Sequence, residues 1–595
     1  MTDGDGSGGG PPPDPENGAD RPEYFPGEKQ RRVPKAAWWV LGIACVLLLL
    51  LFVVRPSWFT RSADDDSLHV PANRHFTKSV AGLGDPDGLW LDDDAPSTTF
   101  SVPIPVDSTP SHTRLHLLGD TQVPQDSTAF LSVVIDGDQV YRGELPRGDQ
   151  SLDQLVDVPG AAGDDGTVRV QVRMDGNLHN QACAADHLSG ANIHIAPNTV
   201  VEAALDRPLR TVRDVVSSWD RDIAVVLPDR TDPWRTVAAQ LGIGLTQAGH
   251  QVRFTDRMPD SDVRNVVIVG PEQSAAALGW TASSPESVAV GSVSGTAVLG
   301  LRSGSAADAT RLVTGAMASV ADSPGADPRH VPATGPAGDS IALSDLGADL
   351  STASITEAHS WRVSYSLPDL PGGRLPQAVR VAWLLPASPP DLTWILNTSI
   401  NGRLVDSRRL NGAPAPLIPL PASLERVDNT LTFSVQRDRD MGGCDVRETK
   451  YSIAMDPASA LTLGADAGQG FVSLPRILAP NPTVYVPDVS GDTTTLLNAV
   501  VPVIADFVSA GVSPEFAWGA GPAPGQPFIQ VGTSSGVVTP LTVANGRLVS
   551  VAPPAVDVNS ITNGIIVSTG LSGNVIRGLV IQPVGDGNPG ALPQF

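Results

Sequence analysis

The sequence contains an internal repeat, and a chain that repeats itself must build corresponding structural units twice. Residues 113–140 and 378–405 lie about 260 residues apart and read alike. In each, two extended runs precede a turn dipeptide, Asp136-Gly137 in the first copy and Asn401-Gly402 in the second. Both dipeptides favour tight β-hairpins, because type I′ turns need positive φ at both central residues.

Each copy continues with a run that alternates apolar and polar residues, at 167–176 and 430–438, as half-buried strands do. A single cysteine follows in each copy, Cys183 and Cys444. Further along, Ile193 and Ile453 fall in register. The repeat therefore predicts two copies of one antiparallel β-sandwich, at residues 80–205 and 355–465.

The pattern changes after each sandwich. Residues 221–229 form a continuous apolar run, which is typical of a strand buried on both faces. A helical stretch follows at 234–249, with Val237, Leu241 and Leu245 on one side. In the second copy, a strand at 482–488, a helix near 496–510 and a strand at 527–532 repeat this order. We predict α/β domains at residues 206–345 and 470–595, each with a parallel sheet.

An apolar segment near the N-terminus predicts one transmembrane helix at residues 36–54. Its 19 residues carry no charge, and at about 1.5 Å per residue they nearly match a hydrocarbon core of roughly 30 Å. The excess of Lys and Arg lies before it, with Arg55 and Arg61 after it, so we expect a disordered cytoplasmic tail at 1–35, a linker at 55–79, and the main body outside the cytoplasm. A cleaved signal peptide would need a shorter apolar core and a small-residue cleavage site, which the following Arg-Pro-Ser-Trp-Phe does not supply.

The duplicated order, the SVVIDGDQV and NTSINGRLV segments and the cysteine after each sandwich resemble the BcsB family, the periplasmic subunit of bacterial cellulose synthase. The resemblance implies jelly-roll domains like carbohydrate-binding modules alternating with flavodoxin-like domains. It also implies a non-catalytic partner of a membrane glycosyltransferase that guides the exported polysaccharide. Family members are usually anchored by a C-terminal helix, whereas the apolar segment here is N-terminal.

The cysteines leave two possibilities open. Cys183 and Cys444 both belong to the part expected outside the cytoplasm, where disulfides persist. They could bridge the two sandwiches, or each could be free, because the geometry of the pair decides and sequence does not supply it.

No cofactor, metal or nucleic acid is expected. The segment after Leu227 lacks the glycines of a phosphate-binding loop, so a flavodoxin-like fold does not imply a flavin here. His179, His187 and His194 match none of the usual zinc spacings. The formal net charge of −24 argues against nucleic acid or an anionic lipid surface.

Exposed aromatic rings are the expected sugar-binding groups, because they can stack on pyranose rings. The tryptophan candidates are Trp90, Trp219, Trp234, Trp361, Trp383, Trp394 and Trp518. Trp383 and Trp394 lie in predicted sandwich strands and favour the core. Trp219 and Trp234 lie in predicted loops that open the first α/β domain, so we expect these two on the glycan-binding surface.

These observations favour a non-enzymatic accessory subunit of a cellulose or related β-glucan synthase. A free-standing cell-envelope glycan-binding or adhesion protein is the alternative. A glycan-processing enzyme would need two carboxylates placed across a cleft, and no pair of carboxylates in the sequence indicates one.

Overall fold

The computed structural model describes residues 71–93, 95–160, 163, 166–179, 189–259, 265–302, 306–332, 336–355, 358–387, 392–410, 415–438, 451–487, 492–533, 536–544, 547–550, 557–558, 561–572 and 575–585. The predicted tail and transmembrane helix, Cys183 and Cys444 lie outside these residues. Within them, no helix combines the length and the hydrophobicity needed to cross a membrane.

The first antiparallel region contains ten strands: β1 (His75–Ser79), β2 (Leu89–Leu91), β3 (Ser97–Pro103), β4 (Pro110–Val123), β5 (Ser127–Ile135), β6 (Asp138–Glu144), β7 (Gly148–Asp157), β8 (Thr167–Leu178), β9 (Asn192–Ile195) and β10 (Val200–Leu205). One sheet has the order β1-β10-β4-β9-β2, with β7 also paired to β4, and the other has the order β3-β8-β5-β6. Inward residues of both sheets, such as Leu115 of β4 and Val170 of β8, share one core. The predicted antiparallel sandwich is therefore present.

A parallel sheet follows. Its elements are α1 (Val212–Ser217), β11 (Asp222–Val226), α2 (Asp232–Gln247), β12 (Gln251–Thr255), β13 (Val266–Val269), α3 (Glu272–Ala277), β14 (Thr281–Ala282), β15 (Val288–Val293), β16 (Thr296–Leu301), α4 (Ala306–Thr314) and β17 (Gly325–Ala326). The sheet order is β12-β11-β13-β16-β15-β14, and its first four strands are parallel. Helix α2 buries Val237, Leu241 and Leu245, which confirms the predicted apolar side.

The second antiparallel region contains β18 (Ser340–Ala342), β19 (Ala353–Ile355), β20 (Ala358–Ser366), β21 (Pro376–Arg380), β22 (Trp383–Leu384), β23 (Thr393–Ile400), β24 (Arg403–Leu410), β25 (Leu417–Pro419), β26 (Asp428–Asp438), β27 (Tyr451–Met455) and β28 (Ala460–Leu463). Its sheets have the orders β18-β28-β21-β25, β19-β27-β22 and β20-β26-β23-β24. This order repeats that of the first sandwich, with β4 replaced by the two shorter strands β21 and β22.

The last region contains α5 (Leu474–Leu478), β29 (Thr483–Val486), α6 (Thr493–Ala505), β30 (Glu515–Trp518), β31 (Phe528–Val531), β32 (Leu541–Ala544), β33 (Arg547–Ser550), β34 (Asp557–Val558), β35 (Gly564–Ser572) and β36 (Val575–Val584). Strands β30, β29, β31 and β36 are neighbours in that order and run parallel. The sheet therefore starts with the same arrangement as its first copy.

The two hairpin dipeptides adopt the predicted turns. Asp136 and Gly137 have φ of 49° and 96°, and Asn401 and Gly402 have φ of 51° and 75°. The side chains of Asp136 and Asn401 also stabilise the hairpins through hydrogen bonds to neighbouring strands. The Asp136 carboxylate accepts a hydrogen bond of 2.8 Å from the backbone N–H of Arg169, and the Asn401 side chain accepts one of 3.0 Å from the N–H of Thr430.

Two predicted boundaries are wrong. Residues 75–79 were expected in a linker, but they form β1, which pairs with β10 and buries Phe76. Residues 340–342 were expected in the first α/β domain, but they form β18, which pairs with β28 of the second sandwich. Both strands are short and pair with partners more than a hundred residues away, so local sequence patterns did not distinguish them from loops.

The two parallel sheets share one hydrophobic core, to which α2 and α6 both contribute. Asn498 of α6 accepts a hydrogen bond of 2.7 Å from the Phe254 N–H and donates one of 3.0 Å to the Phe254 carbonyl. This pair of bonds satisfies the backbone of the edge strand β12, which would otherwise be open to pairing with another chain. The corresponding contact at β30 is the hydrogen bond of 3.0 Å from the Trp518 indole to Thr236 of α2.

Each sandwich contains a buried side chain whose pKa is strongly shifted, Lys78 in the first and Glu425 in the second. Lys78 of β1 is 5% exposed and donates to the carbonyl oxygen of Trp219, where the first sandwich meets the parallel sheet. Burial lowers its pKa to about 8, against the opposing attraction of Asp220. In the second sandwich, Glu425 is 5% exposed and accepts a hydrogen bond of 2.8 Å from the Tyr365 hydroxyl. Burial raises the pKa of Glu425 to about 7.

Candidate functional site

One large aromatic ring lies on the surface of the first sandwich. Trp90 is the central residue of β2 and is 58% exposed, while Leu91 next to it is fully buried. Alternation along the strand explains this, because successive side chains point to opposite faces of a sheet. The Trp90 ring stacks on His194 of β9, with ring centroids 4.2 Å apart and planes inclined by 21°.

The register of the sheet aligns polar side chains with this ring. Trp90 pairs with His194, His194 with Asp120 of β4, and Asp120 with Ser151 of β7. These four residues form a row across four strands, which corresponds to about 14 Å at the usual strand spacing. A second row, formed by Asn192, Gln122 and Asp149, runs beside it.

Together these rows line a shallow groove of about 480 Å³, which we call the Trp90 groove. Its lining residues are Trp90, Asp120, Thr121, Gln122, Asp149, Gln150, Ser151, Asn192 and His194. Several of its exposed polar side chains have no hydrogen-bond partner among the described residues: Asp120, Gln122, Asp149, Ser151 and Asn192. They are available to bind hydroxyl or amino groups of a ligand.

Contacts with the loop before β2 hold the Trp90–His194 pair in place. The His194 Nε2 donates a hydrogen bond of 2.9 Å to the carbonyl oxygen of Asp87. Gly88 has a φ of 76°, and a side chain there would collide with the backbone of Ile195. Only a glycine therefore lets the loop before β2 lie this close to β9.

Asp93 anchors the other end of β2. Its carboxylate accepts hydrogen bonds of 2.9 and 2.8 Å from the N–H and hydroxyl of Ser189, and one of 2.7 Å from the Gly190 N–H. Asp93 lies in the loop that follows β2, and its bonds join β2 to the segment that enters β9.

Trp219 does not belong to a surface site, and this expectation is wrong. It is 1% exposed and packs in the core shared by the parallel sheets, with its ring edge-on to His250 at 6.3 Å. Sequence alone placed it in a loop, but that loop follows α1 and directs the ring inward. Trp234 lies in the first turn of α2, half-buried against the same core and away from the Trp90 groove.

The tryptophans of the second sandwich are mostly interior. Trp394 is 2% exposed, which confirms its predicted core position, and Trp361 is also buried. Trp383 is half-buried, with its ring centroid 4.6 Å from that of Trp361. Trp90 was one of seven candidates in the sequence. The Leu-Trp-Leu alternation of β2 is the signal that could have singled it out as outward-facing.

No protein-family model and no curated protein sequence matches the chain. Similar solved structures include the acetyl xylan esterase Est2A from Butyrivibrio proteoclasticus, which is 9% identical with a TM-score of 0.13, over 31% of this chain and 46% of the esterase. The CBM22-1–CBM22-2 tandem domain of Xyn10C from Paenibacillus barcinonensis is 9% identical with a TM-score of 0.14, over 67% and 100% of the two chains. This chain spans less than half the length of the esterase. Similarity at this level carries no argument about function.

Proposed function

We propose that this protein is a membrane-anchored, non-catalytic accessory subunit of a cellulose or related β-glucan synthase. In this proposal the first sandwich binds the exported polysaccharide outside the membrane through the Trp90 groove. The sandwiches would correspond to the jelly-roll domains, and the parallel-sheet regions to the flavodoxin-like domains, of the family that the sequence resembles. The membrane anchor would be residues 36–54.

The exposed ring of Trp90 is the observation that carries the proposal. A ring that is 58% exposed and held flat against a second aromatic ring offers an apolar platform of fixed orientation. The C–H face of a pyranose can stack on such a platform, while its hydroxyl groups bond to polar side chains at the side. The rows that end in Ser151 and Asp149 provide those polar side chains next to the ring.

The fused parallel sheets suit a supporting role. A shared core and side-chain bonds such as that from Asn498 to Phe254 hold the two halves of the duplication together. A rigid body of this kind can keep a glycan-binding sandwich at a fixed distance from a membrane partner.

Glycan binding is tested with full-length protein in detergent micelles, by isothermal titration with soluble β-linked hexasaccharides. Trp90→Ala should weaken binding by tenfold or more, because the stacking platform is lost. Leu384→Ala is the matched control, since Leu384 is a 53% exposed apolar residue of the second sandwich. Equal binding by wild type and Trp90→Ala would show that the Trp90 groove is not the glycan-binding site.

The synthase partner is tested separately, by affinity purification in mild detergent and mass spectrometry. A multi-span glycosyltransferase recovered in near-equal amount would support the accessory-subunit proposal. Recovery of the protein alone, under conditions that preserve other membrane complexes, would favour a free-standing envelope glycan-binding protein.

A further inference from the structure

We infer that the Trp90 groove prefers a β-linked glycan that carries free amino groups over its neutral counterpart, and disfavours uronic-acid polymers. This inference rests on the proposed glycan binding and adds the charge class of the polymer. It is carried by the distribution of charged side chains around the aromatic platform.

The described residues that line the groove include two carboxylates and one histidine, His194, but no lysine or arginine. Its lining includes Asp120 and Asp149, both exposed. Neither carboxylate forms a side-chain hydrogen bond or an ion pair among the described residues, although His194 is the cross-strand neighbour of Asp120.

Two basic side chains of β4 on the same face, Arg114 and His116, are already paired with carboxylates outside the groove. Arg114 of β4 lies 2.9 Å from the carboxylate of Glu202, and His116 lies 2.7 Å from that of Asp153. Neither pair includes Asp120 or Asp149, so Arg114 and His116 do not compensate the charge of these two carboxylates.

The register places the charge on the path of a chain that extends from the stacked sugar across the strands. Asp120 is two strands from Trp90 in the same row, which corresponds to about 10 Å at the usual strand spacing. A chain that stacks one sugar on Trp90 and crosses the strands therefore passes over Asp120. Asp149 lies on β7 and pairs with Gln122 of β4, two residue pairs away from the Asp120–Ser151 pair.

Asp120 and Asp149 attract a protonated amine on such a chain and repel the carboxylate of a uronate. Exposed ion pairs contribute modestly, so two of them should give a preference of about two- to tenfold at low salt. Salt should reduce this preference, because exposed charges are screened.

The test is titration of full-length protein in detergent micelles with three probes of equal length: a β-1,4-linked glucosamine hexamer, cellohexaose and a hexameric uronate. It is done at mildly acidic pH, where the amines are protonated. The glucosamine hexamer should bind about two- to tenfold more tightly than cellohexaose, and the uronate more weakly than either. Asp120→Asn and Asp149→Asn should each reduce the preference.

Asp138→Asn is the matched control. Asp138 is exposed at the start of β6, in the other sheet, and the substitution changes the net charge by the same amount. It should leave the preference intact if the effect is local to the groove.

The outcomes separate this inference from the proposed function. Binding that depends on Trp90 but shows no preference for the amine, or a preference that both Asn variants retain, overturns this inference alone. Absence of hexasaccharide binding, or unchanged binding by Trp90→Ala, overturns both. A preference that Asp138→Asn reduces as much as the groove variants also overturns the inference, because it would then reflect net charge.

Discussion

The two sandwiches have corresponding strand orders but place their large aromatic side chains in different environments. Among the described residues, the first core contains no tryptophan and is mainly aliphatic, with Phe76 and Phe100. The second core contains Trp361 and Trp394. The same topology therefore accepts either packing, and the fold alone does not set what the surface can bind.

The outer face shows the complementary difference. In the first sandwich, Asp120 pairs with His194 next to Trp90. At the corresponding position of the second sandwich, Leu384 pairs with Ala454. The strand pairing is the same in both copies, but among the described residues only the first copy presents an aromatic ring flanked by polar side chains on this face.

The largest expected effect is on the core that contains tryptophan. Trp394→Ala should destabilise the second sandwich by about 3–5 kcal/mol, because removal of a buried indole leaves a cavity. Urea unfolding followed by hydrogen exchange of peptides from β23 and β26 measures the change locally. A loss below about 1 kcal/mol would contradict the assignment of Trp394 to a tightly packed core.

The buried acid of the second sandwich predicts a pH-dependent stability. Burial raises the pKa of Glu425 to about 7 from its ordinary 4.5, so in this window the folded protein keeps a proton that the unfolded chain has released. Stability should therefore fall as pH rises from 4.5 to 7, by about 3 kcal/mol for this group at 1.4 kcal/mol per pKa unit. Glu425→Gln should remove the contribution of this group, as measured by urea midpoints across the pH range, while Asp506, whose pKa burial also raises to about 7, keeps its own contribution.

The difference between wild type and Glu425→Gln is the quantity to compare. Burial lowers the pKa of His250 to about 4, so this group makes stability rise with pH below pH 6.5. Its contribution is the same in wild type and in Glu425→Gln. Parallel pH profiles for the two proteins would show that Glu425 is not held protonated.

The buried base of the first sandwich predicts the opposite dependence. Burial lowers the pKa of Lys78 to about 8 from 10.5, so the folded protein releases a proton that the unfolded chain still holds. Stability should rise between pH 8 and 10.5, and Lys78→Met should abolish the rise. Lys78 is one of four lysines in the chain. Urea midpoints at pH 8, 9 and 10 measure this rise in stability. A rise of equal size in Lys78→Met would contradict its attribution to Lys78.

The smallest effect on stability is expected at Trp90. Since its ring is 58% exposed, Trp90→Ala should change the free energy of unfolding by about 0.5 kcal/mol or less. Comparison of Trp90→Ala with Trp394→Ala in the same urea experiment distinguishes a surface residue from a core residue. A loss comparable to that of Trp394→Ala would mean that Trp90 holds the sandwich together.

Local patterns of the sequence determined much of the fold. Alternation predicted β8 and β26, the continuous apolar run predicted β11, and the spacing of Val237, Leu241 and Leu245 predicted α2. These features depend on residues a few positions apart, so they can be identified from the sequence alone. The same holds for the Asp-Gly and Asn-Gly turns, whose backbone conformation is set by the dipeptide itself.

Only the tertiary structure decided that Trp219 is buried and which polar side chains lie in one row with Trp90. Trp219 is buried because α1 and the parallel sheet surround it, and Trp90 is exposed because β2 is an edge strand whose only neighbour in the sheet, β9, comes about a hundred residues later. The row from Trp90 to Ser151 joins four strands from separate parts of the chain. Such a row depends on long-range register, and register is fixed only when the whole sheet has paired.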